Sequence, residues 1–136
     1  MQILIIEDDE QVQKIICEML SLSGHTIVTA NNGEDGIAKM ADNPDISIVI
    51  TDLFMPKKEG LETIVEIKKT WPKVGIIAIS GGGIIDSQIS LRCAELLGAA
   101  VALKKPFSSG DLLRAIESIA ADNVENKVVF DVPDKE

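Results

Sequence analysis

The sequence predicts an α/β domain built on one parallel sheet of five strands, with helices on both faces. Three observations carry that prediction. Apolar runs recur along the chain, "QILII", "GHTIVTA", "ISIVI", "VGIIAIS" and "AAVALK", and a segment with helical periodicity follows each of them. The runs are apolar at consecutive positions, as suits strands covered on both faces. The length, 136 residues, fits one ordinary domain and is too short for two.

Each element has its own signal. "QILII" is strand one, and the acidic group Glu7, Asp8, Asp9 and Glu10 leads from it into a first helix. Val12, Ile15, Ile16, Met19 and Leu20 recur at the spacing of one helical face. Gly24 stops that segment and "GHTIVTA" forms strand two. Ile37, Met40 and Ala41 mark a short second helix broken by "NPD", before "ISIVI" as strand three. After a turn from Met55 to Glu59, the stripe Leu61, Ile64, Val65 and Lys68 gives helix three. Trp71 and Pro72 end it, because the residue before a proline is pushed out of the helical region.

"VGIIAIS" is strand four, broken by "GGG"; helix four then runs roughly from Ile85 to Leu97 and stops at Gly98. "AAVALK" is a short strand five. Ser108, with Asp111 three residues on, reads as a capping box for a last helix carrying Leu112, Leu113, Ile116 and Ile119. The domain is therefore placed at 1–121, with 122–136 as a polar tail bearing one apolar patch at Val128 to Phe130. Such a tail is too short to be an effector domain.

Composition narrows the function. Hydrophobic residues make up 46% and aromatics 3%, so the core must be Ile, Val, Leu and Ala. A net charge of −9 opposes direct wrapping of nucleic acid or of an anionic membrane, both of which need clustered Lys and Arg. No signal peptide and no apolar run of membrane-spanning length is evident, which leads to a cytoplasmic expectation. Cys17 and Cys93 lack CxxC spacing and read as small buried hydrophobes of a reducing compartment. His25, the sole histidine, falls at the start of a strand and reads as a surface residue.

In open parallel sheets, ligands bind beyond the carboxyl ends of the strands. Those exits carry Glu7 and Asp8, then Asp52, then Ser80, then Lys105 followed by Pro106. A carboxylate at the end of a core strand is costly unless something uses it. Three acids brought together must hold a proton or recruit a cation, and a hard oxygen site with few protein ligands suits Mg²⁺. Plainer readings exist for each residue. The acids after strand one suit a helix N-terminus, Lys105 and Lys104 could be solvated lysines, and Ser80 could be a turn former. "SGGG" is too poor a match to a phosphate-binding loop to indicate a nucleotide.

Taken in order and spacing, "IIEDD", "ITDLFMP", "IIAISGGG" and "LKKPF" resemble the receiver domain of two-component response regulators, over roughly residues 1 to 121. The resemblance implies a flavodoxin-like (βα)5 fold with strand order 2-1-3-4-5. It makes Asp52 the phosphoacceptor for a phosphohistidine, with Asp8, Asp52, the backbone carbonyl of Phe54 and, through a water, Glu7 around Mg²⁺. Lys105 would pair with a phosphoryl oxygen and Ser80 would donate its hydroxyl to another. The implied partners are a sensor histidine kinase or a histidine phosphotransfer protein, and a downstream protein on the face of helix four, strand five and helix five. The implied activity is a phosphorelay switch, with at most self-phosphorylation and self-dephosphorylation.

Two positions depart from the family pattern. Ala102 stands where many receivers carry an aromatic ring, so a ring-flip relay is unavailable; Gly81, Gly82 and Gly83 offer another mobile element. Phe54 cannot orient a water toward an acyl phosphate, so slower self-dephosphorylation than in Phe54→Asn is expected. Phe54 also bears on an alternative reading, a phosphohydrolase of the haloacid dehalogenase type, since it stands where such enzymes want a second acid. A further alternative is a receiver used only as an unphosphorylated interaction module, and the intact acids, Asp52 and Lys105 oppose it.

Overall fold

The described residues alternate strand and helix: β1 (Gln2–Ile6), α1 (Glu10–Met19), β2 (Thr26–Ala30), α2 (Gly33–Asp42), β3 (Ile46–Asp52), α3 (Gly60–Thr70), β4 (Gly75–Ser80), α4 (Ser87–Leu97), β5 (Val101–Lys104) and α5 (Ser109–Glu125). The computed structural model describes residues 1–53, 60–80 and 87–125. All pairings are parallel, and the strand order is β2-β1-β3-β4-β5. The predicted flavodoxin-like order is therefore the observed one.

Successive strand side chains point to opposite faces, which divides the aliphatic runs between two cores. Leu4, Ile6, Val49, Ile76 and Ala78 face Met40 of α2, Ile64 and Ile67 of α3 and Ala94 of α4. Ile3, Ile5, Ile48, Ile50, Ile77 and Ile79 face Ile16 and Leu20 near α1, and Leu112, Ile116 and Ile119 of α5. Each fully buried Ile or Leu contributes about 1.5–3 kcal/mol relative to exposure, so the unbroken apolar runs supply most of the driving force. No helix among the described residues is long and apolar enough to cross a membrane.

The helix starts follow the capping chemistry. Asp9 caps α1 by accepting from Gln11 N at 2.9 Å and Val12 N at 3.2 Å. Asn32 caps α2, accepting from Asp35 N at 2.8 Å. The predicted box is present at α5: Ser108 N donates to Asp111 Oδ2 and Asp111 N to Ser108 Oγ, both at 3.0 Å. Gly98, at φ 132°, adopts a conformation other residues rarely take and closes α4.

Several details differ from the expectations. Cys93 is exposed and Cys17 only half-buried, because α4 turns Ala94 rather than its neighbours inward and Cys17 lies at the margin of the α1 stripe. Ile15 is 50% exposed and Val65 44%: α1 seats Ile16 and Leu20 on the sheet, and α3 seats Thr63, Ile64 and Ile67. β3 continues to Asp52, and α5 continues to Glu125, past the expected start of the tail. The expectations for Phe54, the turn from Met55 to Glu59, Gly81 to Gly83, the helix start at Ile85 and the tail from residue 126 lie outside the described residues.

Candidate functional site

Parallel register brings the strand ends to one edge. Ile6 pairs with Thr51, Asp52 with Ile79, and Ser80 with Lys104, so residues separated widely in sequence leave the sheet together. Asp52 is the last residue of β3 and only 7% exposed. Its backbone is held from three sides. Leu53 N donates to Ile79 O at 3.0 Å, and Thr51 Oγ1 donates to Asp52 O at 3.0 Å. Gly60, the first residue of α3, lies so close that a Cβ there would fall on Asp52 O and Leu53 Cα.

Glu7 enters from β1 and is 2% exposed. Its backbone N donates to Ala30 O at 3.0 Å and its Oε2 accepts from Asp9 N at 3.2 Å. Asp8 is exposed, and carboxylate oxygens of Glu7, Asp8 and Asp52 all lie within 4.8 Å of one another. Lys105 arrives from β5. Its backbone N donates to Ser80 O at 2.8 Å, the following peptide to Pro106 is cis, and its ammonium lies 3.1 Å from Asp52 Oδ2 and 3.8 Å from Glu7 Oε1. Ser80 is fully buried, and its Oγ has no hydrogen-bond partner among the described residues.

The electrostatics follow from this crowding. Burial first, and then the adjacent Asp52 carboxylate, push Glu7 up to about 8, against the pull of the Asp9 N–H and of Lys105. Partial burial draws the Lys105 ammonium down, but Asp52, Glu7 and Asp9 together outweigh it and hold the group above the ordinary lysine value. Glu7 Oε1 is buried and, among the described residues, has no hydrogen-bond partner, the Lys105 ammonium facing it from 3.8 Å. An all-carboxylate donor set with an unbonded buried oxygen fits a hard divalent cation such as Mg²⁺, whose charge would displace the proton from Glu7.

Of the residues expected at the site, Glu7, Asp8, Asp52 and Lys105 come together, and Ser80 stands one residue beyond the register partner of Asp52 on the neighbouring strand. Lys104 is exposed at the end of β5. His25 is apart from them: its Nδ1 lies 3.4 Å from the Met1 amino group, and burial followed by that positive charge lowers its pKa. Sequence reasoning missed Thr51, Gly60 and Gln13, which support the site through backbone contacts and leave no motif.

The sequence profile of the response regulator receiver domain matches residues 3–117. The chain is 32% identical over 118 residues to a transcriptional regulatory protein CpxR homolog of Haemophilus influenzae, covering 87% of this chain and 49% of that protein. It is 35% identical over 118 residues to a probable C4-dicarboxylate response regulator DctR of Bacillus subtilis, covering 85% and 50%. The chain thus spans about half the length of these curated relatives. A crystal structure of a response regulator receiver domain protein from Clostridium thermocellum superposes with a TM-score of 0.83 at 30% identity, covering 94% of this chain and 98% of that one. The receiver domain of NtrX from Brucella abortus gives 0.80 at 26% identity, covering 88% and 98%. The chain belongs to the response regulator receiver domain family, the signalling domain of two-component systems.

Proposed function

We propose that the chain is a phosphorylation switch whose acceptor is Asp52, charged by a phosphohistidine on a sensor kinase or a histidine phosphotransfer protein in the cytoplasm. The observation that carries this reading is the Lys105 ammonium 3.1 Å from Asp52 Oδ2, in a group that also holds Glu7 and Asp8. In the transfer, a carboxylate oxygen of Asp52 attacks phosphorus in line. An O–P bond forms as the N–P bond breaks, and the imidazole nitrogen leaves with the electron pair and takes up a proton.

Lys105 meets the charge that the phosphoryl oxygens present during transfer. Asp8, Asp52, the Phe54 carbonyl and, through a water, Glu7 would hold Mg²⁺, which when bound neutralises charge on the phosphoryl group and among the acids. The buried hydroxyl of Ser80, without a partner among the described residues, supports a role as donor to a phosphoryl oxygen. A contact made only in the phosphorylated state shifts the population toward it. Leu96, 80% exposed, and Leu97 on α4 support a protein-binding output face formed by α4, β5 and α5. Beyond taking up and losing its own phosphoryl group, the chain needs no further chemistry.

Incubation with a radiolabelled phosphohistidine donor tests the reading. Label is expected on the native chain, released by hydroxylamine as an acyl phosphate should be, and absent from Asp52→Ala. Equal labelling of the two chains would reject Asp52 as the acceptor.

A further inference from the structure

Gln13 lies on the first turns of α1, half-buried, and Glu7 and Asp8 lie in the loop just before that helix. Its side-chain Nε2 donates to Glu7 O at 3.1 Å and to Ala30 O at 3.1 Å, and lies 3.4 Å from Asn31 Oδ1. All three acceptors are oxygens, which fixes the orientation of the amide. Its backbone N donates to Asp9 O at 2.9 Å, the first helical bond of α1, so only the side-chain contacts are particular to glutamine here.

The Glu7 carbonyl belongs to the peptide bond that joins Glu7 to Asp8. Rotation of that peptide would swing Asp8 relative to Asp52, and the carbonyl bond to Gln13 opposes the rotation. Ala30, the last residue of β2, accepts from both Gln13 and the Glu7 backbone N, which ties the loop to the sheet edge. We propose that Gln13 is a positioning residue: through the Glu7 carbonyl it holds the Glu7–Asp8 peptide so that both acids face one cation together with Asp52. The inference rests on the reading of Glu7 and Asp8 as cation ligands. It extends outer-shell control of a metal site from ligand side chains to the backbone that carries them.

Gln13→Met keeps the length of the side chain and removes both N–H donors. Calorimetric Mg²⁺ titration is expected to show affinity weakened about tenfold, the lower end of what outer-shell partners contribute. The rate of phosphorylation by acetyl phosphate is expected to return to the native value at saturating Mg²⁺. A lower urea midpoint with unchanged Mg²⁺ affinity would reduce Gln13 to a packing role and overturn the proposal. Should Gln13→Met not fold, Gln13→Asn, which keeps the amide but shortens its reach, carries the same test. Absence of Mg²⁺ binding by the native chain would remove the cation reading and this inference together; native binding with an unaffected variant would remove this inference alone.

Discussion

The Lys105 ammonium lies 3.1 Å from Asp52 Oδ2, a contact between residues 53 positions apart that depends on β4 standing between β3 and β5. The same ammonium is 3.8 Å from Glu7 Oε1, so one cation offsets two acids that would otherwise repel. Lys105→Met should therefore slow phosphorylation of Asp52 by about a hundredfold, the loss typical of removing one charge-stabilising donor. Intact-mass time courses at saturating Mg²⁺ measure this. A rate within twofold of native would show that Lys105 is a spectator.

Ser80 makes an unusual stability prediction. A buried hydroxyl with no hydrogen bond destabilises the fold that contains it, so Ser80→Ala should raise stability by about 1 kcal/mol in the unphosphorylated chain. In the phosphorylated chain the advantage should reverse as the donor is lost. Urea unfolding of both forms checks the sign of each change, and a loss of stability in the unphosphorylated variant would contradict the prediction.

Gly60 supports the acceptor by its lack of a side chain. A Cβ there would meet Asp52 O and Leu53 Cα, both backbone, so no rotamer change can relieve the overlap. Gly75 differs, since its Cβ would meet the Ile119 side chain, which can rotate. Gly60→Ala should lower stability by about 1–3 kcal/mol and also slow phosphorylation of Asp52. Gly75→Ala should affect stability alone. Denaturation and phosphorylation rates measured side by side separate the two.

Much of this was legible in the chain. Unbroken aliphatic runs such as "ILII" can be satisfied only between two covering layers, and the alternation with helical stripes leaves few topologies. The acids after β1 and at the end of β3, and the lysine after β5, were found because ligands of parallel sheets gather where strands end. Gln13 was invisible because a polar helix residue reads as solvated; its amide gains a role only where the fold sets the Glu7 carbonyl and Ala30 of β2 beside it. Gly60 gave no signal in the chain, since close backbone approach has no periodicity. Ile15 and Cys93 misled because a helical stripe is wider than the face a sheet covers.

The capping box at α5 predicts a pH dependence. Asp111 accepts from the Ser108 backbone N and pairs with the Arg114 guanidinium at 2.7 Å, and these contacts, the Ser108 backbone bond foremost, hold its carboxyl below the ordinary 3.8. A folded-state value below the unfolded one means the stabilisation is complete above 3.8 and is lost as pH falls through the lower folded value. The stability gap between the native chain and Asp111→Ala should stay constant above that range and close in acid. Thermal unfolding of the pair across pH measures it; a gap that widened in acid would have the wrong sign.

Whether Asp52 takes a phosphoryl group with the help of the acids beside it can be read from intact mass after incubation with acetyl phosphate. The native chain should gain one phosphoryl mass with Mg²⁺ and none with excess chelator, while Asp52→Ala and Asp8→Asn remain unmodified. A gain that persists in Asp52→Ala, or that ignores the chelator, would rule out Asp52 as a metal-assisted acceptor.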